Sequence, residues 1–318
     1  MMTVFLALAL LCGFIPAEPD IAAEIRLYES GQYLQASASL EAKCPASAAC
    51  TEARLWLAKS YLKLRRWDDA IRVLESLVKQ DPRSGCFHHW LGRAYGGKAD
   101  HSSMLKAFSL AKKVVREFET ALSLEPNNLD LRFDLLEYYV EAPGFVGGGR
   151  DKAVAQAKAI GDLNKRLGFV ARARIQISEK QWQNTQAELT QATREFPDQP
   201  ETFGDLAEYL LSREDYRGAE EAAGKALALR TSYAKARLVQ AAARIRLGKD
   251  LETAAVDLHA LSTGPLRDED PGFQEVFYWL GQAYQAQGKK AEAYQAFSSA
   301  LRYDPDHAGA KRAISQLR

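Results

Sequence analysis

A ladder of small residues, spaced one helical hairpin apart, constrains this chain more than any other feature. The stretch 277–305 shows the unit: Phe277, Leu280, Gly281 and Tyr284 recur at helical spacing, a polar turn follows, and Ala293, Phe297 and Ala300 line a second helix ahead of Pro305. Anchoring on the small residue that begins the second helix places rungs at Ala36, Ala70, Val114, Ala153, Thr185, Ala219, Ala254 and Ala293. The intervals are 34, 44, 39, 32, 34, 35 and 39 residues. A small side chain suits a rung because the two helices of a hairpin cross closely there.

The aromatic residues were not used to set this register, and they obey it. Trp56, Trp90 and Trp279 each fall two residues before a tight-packing position of the first helix, at Ala58, Gly92 and Gly281. Trp67 and Trp182 fall three residues before a rung, as do Tyr33 and Tyr216.

The spacing Phe277-x2-Leu280-Gly281-x2-Tyr284, then Ala293-x3-Phe297, then Pro305 resembles the tetratricopeptide repeat (TPR) pattern W-x2-L-G-x2-Y…A-x3-F…P, with Phe at the first position. The resemblance implies an all-α, right-handed superhelical solenoid of about eight TPR-like hairpins that binds other proteins in its concave groove. It names no partner. The Pro-Gly-Phe-Val-Gly-Gly-Gly insertion at 143–149, with Trp90-Leu-Gly-Arg-Ala-Tyr-Gly96, is similar to bacterial tetratricopeptide proteins without a firm biochemical assignment.

Three departures from the template stand out. An extra segment around 96–105 carries Gly96-Gly97, and from Ser102 onward it reads as a forward extension of the second helix. The 143–149 loop and the proline- and acid-rich connection 263–271 are the others. The array is assigned to residues 18–306, and residues 307–318 read as a helix capping its exposed end, as a solenoid requires.

Residues 1–17 read differently. Val4 to Ile15 is an apolar run too short to span a bilayer, with Ala17 as a cleavage-site residue, which fits a secretory signal. No Lys or Arg precedes it, and Ile15 is large for its place. Export to the periplasm or envelope is the expected fate; an uncleaved anchor, which alone would bring membrane contact, and a cytoplasmic chain are the alternatives. Cys44 and Cys50, six residues apart between hairpins, could close a small disulfide loop in an oxidising compartment or stand unpaired in a linker.

No chemistry-bearing constellation emerges. Gly144 to Gly149 has the spacing of a phosphate loop, but Arg150-Asp151 replaces the required Lys-Ser/Thr, and a helix precedes it. Phe145 and Val146 in that loop are instead candidates for partner contact. His88 and His89 point about 100° apart on a helix and do not share a metal readily, with His101 further on. No catalytic motif is present, so the chain is expected to be no enzyme and to need no cofactor and no metal. A formal net charge of +1 gives no pull toward nucleic acid.

Carrying the register across, the residue after each tight-packing position should face the groove: Lys59, Arg93, Glu137, Arg174, Glu208, Ala243 and Gln282. One turn away lie Leu55, Lys63, His89, Phe133, Val170 and Tyr278. Some relatives clamp a C-terminal carboxylate with Lys, Arg and Asn; here the lysines and arginine are present and the asparagines are not. The expectation is a non-enzymatic scaffold or assembly factor for a protein or peptide partner. Self-association into a homo-oligomer and small-ligand binding are the alternatives.

Overall fold

The computed structural model describes residues 19–44, 50–268 and 270–317. The N-terminal apolar segment and the residues between Cys44 and Cys50 lie outside them. Among the described residues there are seventeen α-helices and no strand.

Sixteen of the helices pair into eight hairpins: α1 (Ala22–Glu29) with α2 (Tyr33–Lys43), α3 (Thr51–Lys63) with α4 (Trp67–Gln80), α5 (Gly85–Asp100) with α6 (Met104–Leu124), and α7 (Leu129–Glu141) with α8 (Arg150–Leu163). Then follow α9 (Lys165–Ser178) with α10 (Trp182–Glu195), α11 (Pro200–Ser212) with α12 (Tyr216–Leu229), α13 (Ala234–Leu247) with α14 (Leu251–Thr263), and α15 (Phe273–Ala286) with α16 (Lys290–Tyr303). The last helix, α17 (Ala308–Leu317), packs on α16. Each helix packs on the next, and α3, α7, α11 and α13 also touch the first helix of the following hairpin. The first helices therefore share one face of an all-α repeat solenoid.

Local chemistry explains the boundaries. Asn128 and Asn164 cap α7 and α9, each side-chain oxygen accepting a backbone N–H of the first turn at 3.1 Å. Pro200 begins α11, where its missing N–H costs nothing. The hairpin turns repeat one device: the residue five before the rung is left-handed, at Gly31, Arg65, Lys180, Glu214 and Gly288, with φ between 57° and 76°. Three of these carry a β-carbon, at a cost of about 1–2 kcal/mol each, so packing across the hairpin over-determines the turn.

Every rung is buried, seven at 0% exposure and Val114 at 4%. The tight-packing glycines of distant hairpins behave alike: a β-carbon on Gly92 would lie 2.4 Å from the Phe118 ring, and one on Gly281 2.6 Å from the Phe297 ring. A phenylalanine one turn beyond the rung fills the place a side chain would take.

The 96–105 segment is not a loop leading into an extended second helix alone. It lengthens both helices, since α5 runs through Gly96 and Gly97 to Asp100 and leaves a turn of three residues before α6. The Trp67 ring occupies the space beside Gly97, and His101 stacks on Trp67 with ring centroids 5.6 Å apart. Packing thus outweighs the poor helix propensity of the glycine pair. The 143–149 loop is also ordered by hydrogen bonds. Gly144–Val146 form a 3-10 turn, Gly149 N–H donates to Tyr139 O at 2.9 Å, and Tyr138 O–H donates to Val146 O at 2.6 Å. A β-carbon at Gly148 would strike the Ala142 carbonyl.

The solenoid turns far enough for its ends to meet. Leu266, in the connection between α14 and α15, donates its N–H to Glu29 O at 2.7 Å, and its side chain is buried. Arg65, in the turn after α3, pairs with Asp304 at 2.8 Å and Asp306 at 2.9 Å beyond α16. Phe273 covers Gly31 and stacks on Tyr303, which meets Tyr33 edge-on.

Candidate binding face

The N-terminal half of the shared face is basic and aromatic. From α3, the Lys59 ammonium lies 4.2 Å from the Trp56 ring centroid and 4.5 Å from that of Trp90 on α5, close enough for attraction to both ring faces. Two of the tryptophans that obey the sequence register thus also seat a lysine. Arg93 lies over Trp90 and donates to Asp134 on α7, where His89 Nε2 approaches the same carboxylate at 2.7 Å. Burial alone would raise the Asp134 carboxyl, but His89 and Arg93 hold it below the usual range.

Lys59 and Lys63 share one further partner. Both ammonium groups lie 3.3 Å from Asp268 in the 263–271 connection, and Tyr28 O–H donates to the same carboxylate at 2.8 Å. Burial would raise the Asp268 carboxyl too, but Lys63, Tyr28 and Lys59 outweigh it and depress it.

The C-terminal half is charged and open. A cleft of about 720 Å³ is lined by Phe133, Arg166, Val170, Arg174, Asp205, Tyr233 and Lys235, together with Arg267 and Asp270 of the connection. Asp205 accepts from Arg166 and Lys235 at 3.2 Å each, and Lys235 also pairs with Glu208 at 3.2 Å. Burial pushes the Asp205 carboxyl up against the pull of Lys235 and Arg166; Asp205 and Glu208 hold the Lys235 ammonium above its ordinary range despite its own burial. Arg174 and Glu137 pair at 3.1 Å, both about half exposed.

The structure therefore brings Lys59, Lys63, Arg93, Phe133, Glu137, Arg174 and Glu208 onto one continuous face. His89 is buried behind it as a support for Asp134. Ala243, expected in the groove, is 0% exposed among Ala173, Ala207 and Val239, because small residues let α13 approach α11. Tyr278 packs under the cap, against Phe297, His307 and Gly309. Gln282 is half-buried. The candidate contact pair in the 3-10 turn divides: Val146 is buried, while Phe145 is exposed and packs edge-on against Phe108. Cys44 and Cys50 are disulfide-bonded, with Cα atoms 5.9 Å apart.

Sequence reasoning missed Tyr28, Asp134, Asp205, Lys235 and Asp268. Asp134, Asp205 and Lys235 lie at helical spacing from named groove residues, so the helix register could have found them. Tyr28 and Asp268 could not be found this way, since they meet only through closure of the solenoid. His88 packs within its hairpin as expected, its Nδ1 2.6 Å from a buried Glu117 and its Nε2 3.1 Å from Pro82 O. Among the described residues no group of three or more His, Cys, Asp or Glu is placed to hold a metal. No helix among them is long and apolar enough to cross a membrane.

Comparison with known proteins agrees with this geometry. Tetratricopeptide repeat profiles match residues 27–85 and 274–307. No curated protein sequence matches the chain. Among solved structures, yeast Tom70 superposes with a TM-score of 0.63 at 15% identity, covering 96% of this chain. The chain spans 65% of that protein's length. Human IFIT1, solved as a dimer with m7Gppp-AAAA, gives a TM-score of 0.52 at 14% identity, covering 92% of this chain and 70% of its own. A tetratricopeptide repeat protein from Parabacteroides merdae gives 0.43 at 13% identity, covering 93% and 96%. The chain therefore carries tetratricopeptide repeats at residues 27–85 and 274–307, and the hairpins between them continue the same all-α repeat solenoid.

Proposed function

We propose that this protein is a non-enzymatic interaction scaffold or assembly factor that holds a segment of a protein partner on its concave face, in the bacterial cell envelope. The carrying observation is the continuous run of charged and aromatic side chains that successive first helices contribute to one face, ending in a cleft of about 720 Å³. Its chemistry suits an extended peptide or a helix held by scattered polar contacts with aromatic support. An interaction role is the general use of this repeat family, and its members are generally non-catalytic.

Two features support the location. The N-terminal apolar run fits a secretory signal. The Cys44–Cys50 disulfide fits an oxidising compartment, where such a bond forms and persists.

A photo-cross-linking residue placed at Arg174, at Glu208 or at the exposed outer-helix residue Glu221 tests the reading in the native cell. One partner captured from Arg174 and Glu208 but not from Glu221 is the expected result. Capture from Glu221 alone, or a sharp small-molecule thermal shift with no cross-linked protein, would overturn it. A product joining two copies of the chain would identify the partner as the protein itself.

A further inference from the structure

The strongest unassigned feature is the connection between α14 and α15, which lies on the concave face as a partner's peptide would. Its backbone donates from Leu266 to Glu29 O at 2.7 Å, its Leu266 side chain is 7% exposed, and its Asp268 carboxylate meets Tyr28, Lys59 and Lys63. A backbone hydrogen bond, a buried apolar anchor and a paired charge are the three means by which an extended segment is held. A plain linker between adjacent hairpins needs none of them, and this connection, at nine residues, is longer than any other between hairpins, four of which use four residues, one seven and one a single residue.

The recognised groups come from far away in the sequence. Asp268 lies 240 residues from Tyr28 and 209 from Lys59. Lys59 also lies over the Trp56 and Trp90 rings, contacts in which Asp268 takes no part. The site is therefore built by α1, α3 and α5, and the connection occupies it.

We propose that residues 264–268 are an internal ligand of the concave face: Asp268 fills the seat that Tyr28, Lys59 and Lys63 form, and an acidic peptide segment of a partner binds by displacing it. The inference rests on the reading of the concave face as the protein-binding surface. Tethering gives the connection an effective concentration on the order of millimolar, so only a partner that offers a carboxylate and further contacts competes with it. Further contacts are available next door, in the cleft that Arg267 and Asp270 of the same connection help to line. Displacement would therefore free the basic seat and widen the cleft together.

The test uses the full chain and a fluorescent peptide copying residues 262–272 as the competing ligand. Binding to the wild type, to Asp268→Ala and to the Asp268→Ala/Lys59→Ala/Lys63→Ala variant is read by anisotropy. The expected result is at least tenfold tighter binding to Asp268→Ala than to wild type, with the gain lost in the triple variant; Asp268→Asn should follow Asp268→Ala. Hydrogen exchange at the Leu266 amide provides the second readout, expected to quicken at least tenfold in Asp268→Ala while α11 amides keep their protection. Equal peptide affinity in wild type and Asp268→Ala, or an unchanged Leu266 amide, would overturn the proposal. Equal affinities with the Arg174 cross-links intact would remove the internal ligand alone. Lost cross-links with the peptide result intact would instead remove the partner reading.

Discussion

The two halves of the concave face are built from the same repeat positions and end in different states. Toward the N-terminus, Lys59 and Lys63 have their counter-charge supplied by Asp268, a residue from the far end of the chain. Toward the middle, Lys235 and Arg166 are answered by Asp205 from a neighbouring helix, and the cleft in front of them stays open. One half is completed by closure of the solenoid and the other by adjacent hairpins. The contrast separates what a repeat array supplies locally from what its curvature adds.

The largest expected effect strikes the completed half at its apolar hinge. Phe273, 2% exposed at the head of α15, covers Gly31 and stacks on Tyr303. Phe273→Ala should cost about 3–5 kcal/mol in the last hairpin. Because a repeat array need not unfold in one step, segment-resolved hydrogen exchange in urea is the measurement. Protection should fall in α15 to α17 and hold in α9 to α12.

Gly281→Trp comes next. The new ring would meet Phe297, whose atoms already lie 2.6 Å from a β-carbon at that position. Overpacking of this kind costs about 1–3 kcal/mol, lowers the melting temperature and loosens the cap. Unchanged melting would refute the hairpin register itself.

Acid should discriminate between the halves with a smaller effect. The Asp268 carboxyl, facing Tyr28, Lys59 and Lys63 with Tyr33 and Arg93 nearby, is held below its ordinary value. A depressed carboxylate stabilises the fold above its unfolded range and loses that stabilisation as the pH falls through the depressed value. The Leu266 amide should therefore stay protected from neutral pH down to about pH 4 and exchange faster in stronger acid. Asp205, raised by its burial, gives the open half no equivalent acid-labile stabilisation. Opening that began near neutral pH would contradict the assignment.

Arg174→Ala should change least in stability. Both it and Glu137 are 52% exposed, and such pairs contribute under about 1 kcal/mol. Melting should barely move while cross-linking to a partner through Glu208 falls, which would divide binding from folding in the open half.

Much of the fold was legible because repeat packing is local. The rung at Ala36 and the rung at Ala293 obey one rule, and tryptophans at fixed offsets from the packing positions confirm it along the chain. Periodicity was a poorer guide where packing overrides propensity, as at Gly96-Gly97 inside α5, kept helical with Trp67 against Gly97. It also failed at Ala243, where the groove position is spent on close helix approach, and at Tyr278, which the cap helix covers. Closure left no trace in the pattern. Spacing reports which face a residue takes within its hairpin, whereas curvature accumulated from the second hairpin to the seventh decides whether Asp268 reaches Lys59.

The closed turn is tested most directly by the distance between paramagnetic labels at the exposed residues Gln35 on α2 and Arg302 on α16 in the full chain in solution. A single narrow, short distance that broadens in the Arg65→Ala/Asp268→Ala variant is the predicted result. A broad, long distribution already present in the unaltered protein would contradict closure, and with it the internal ligand.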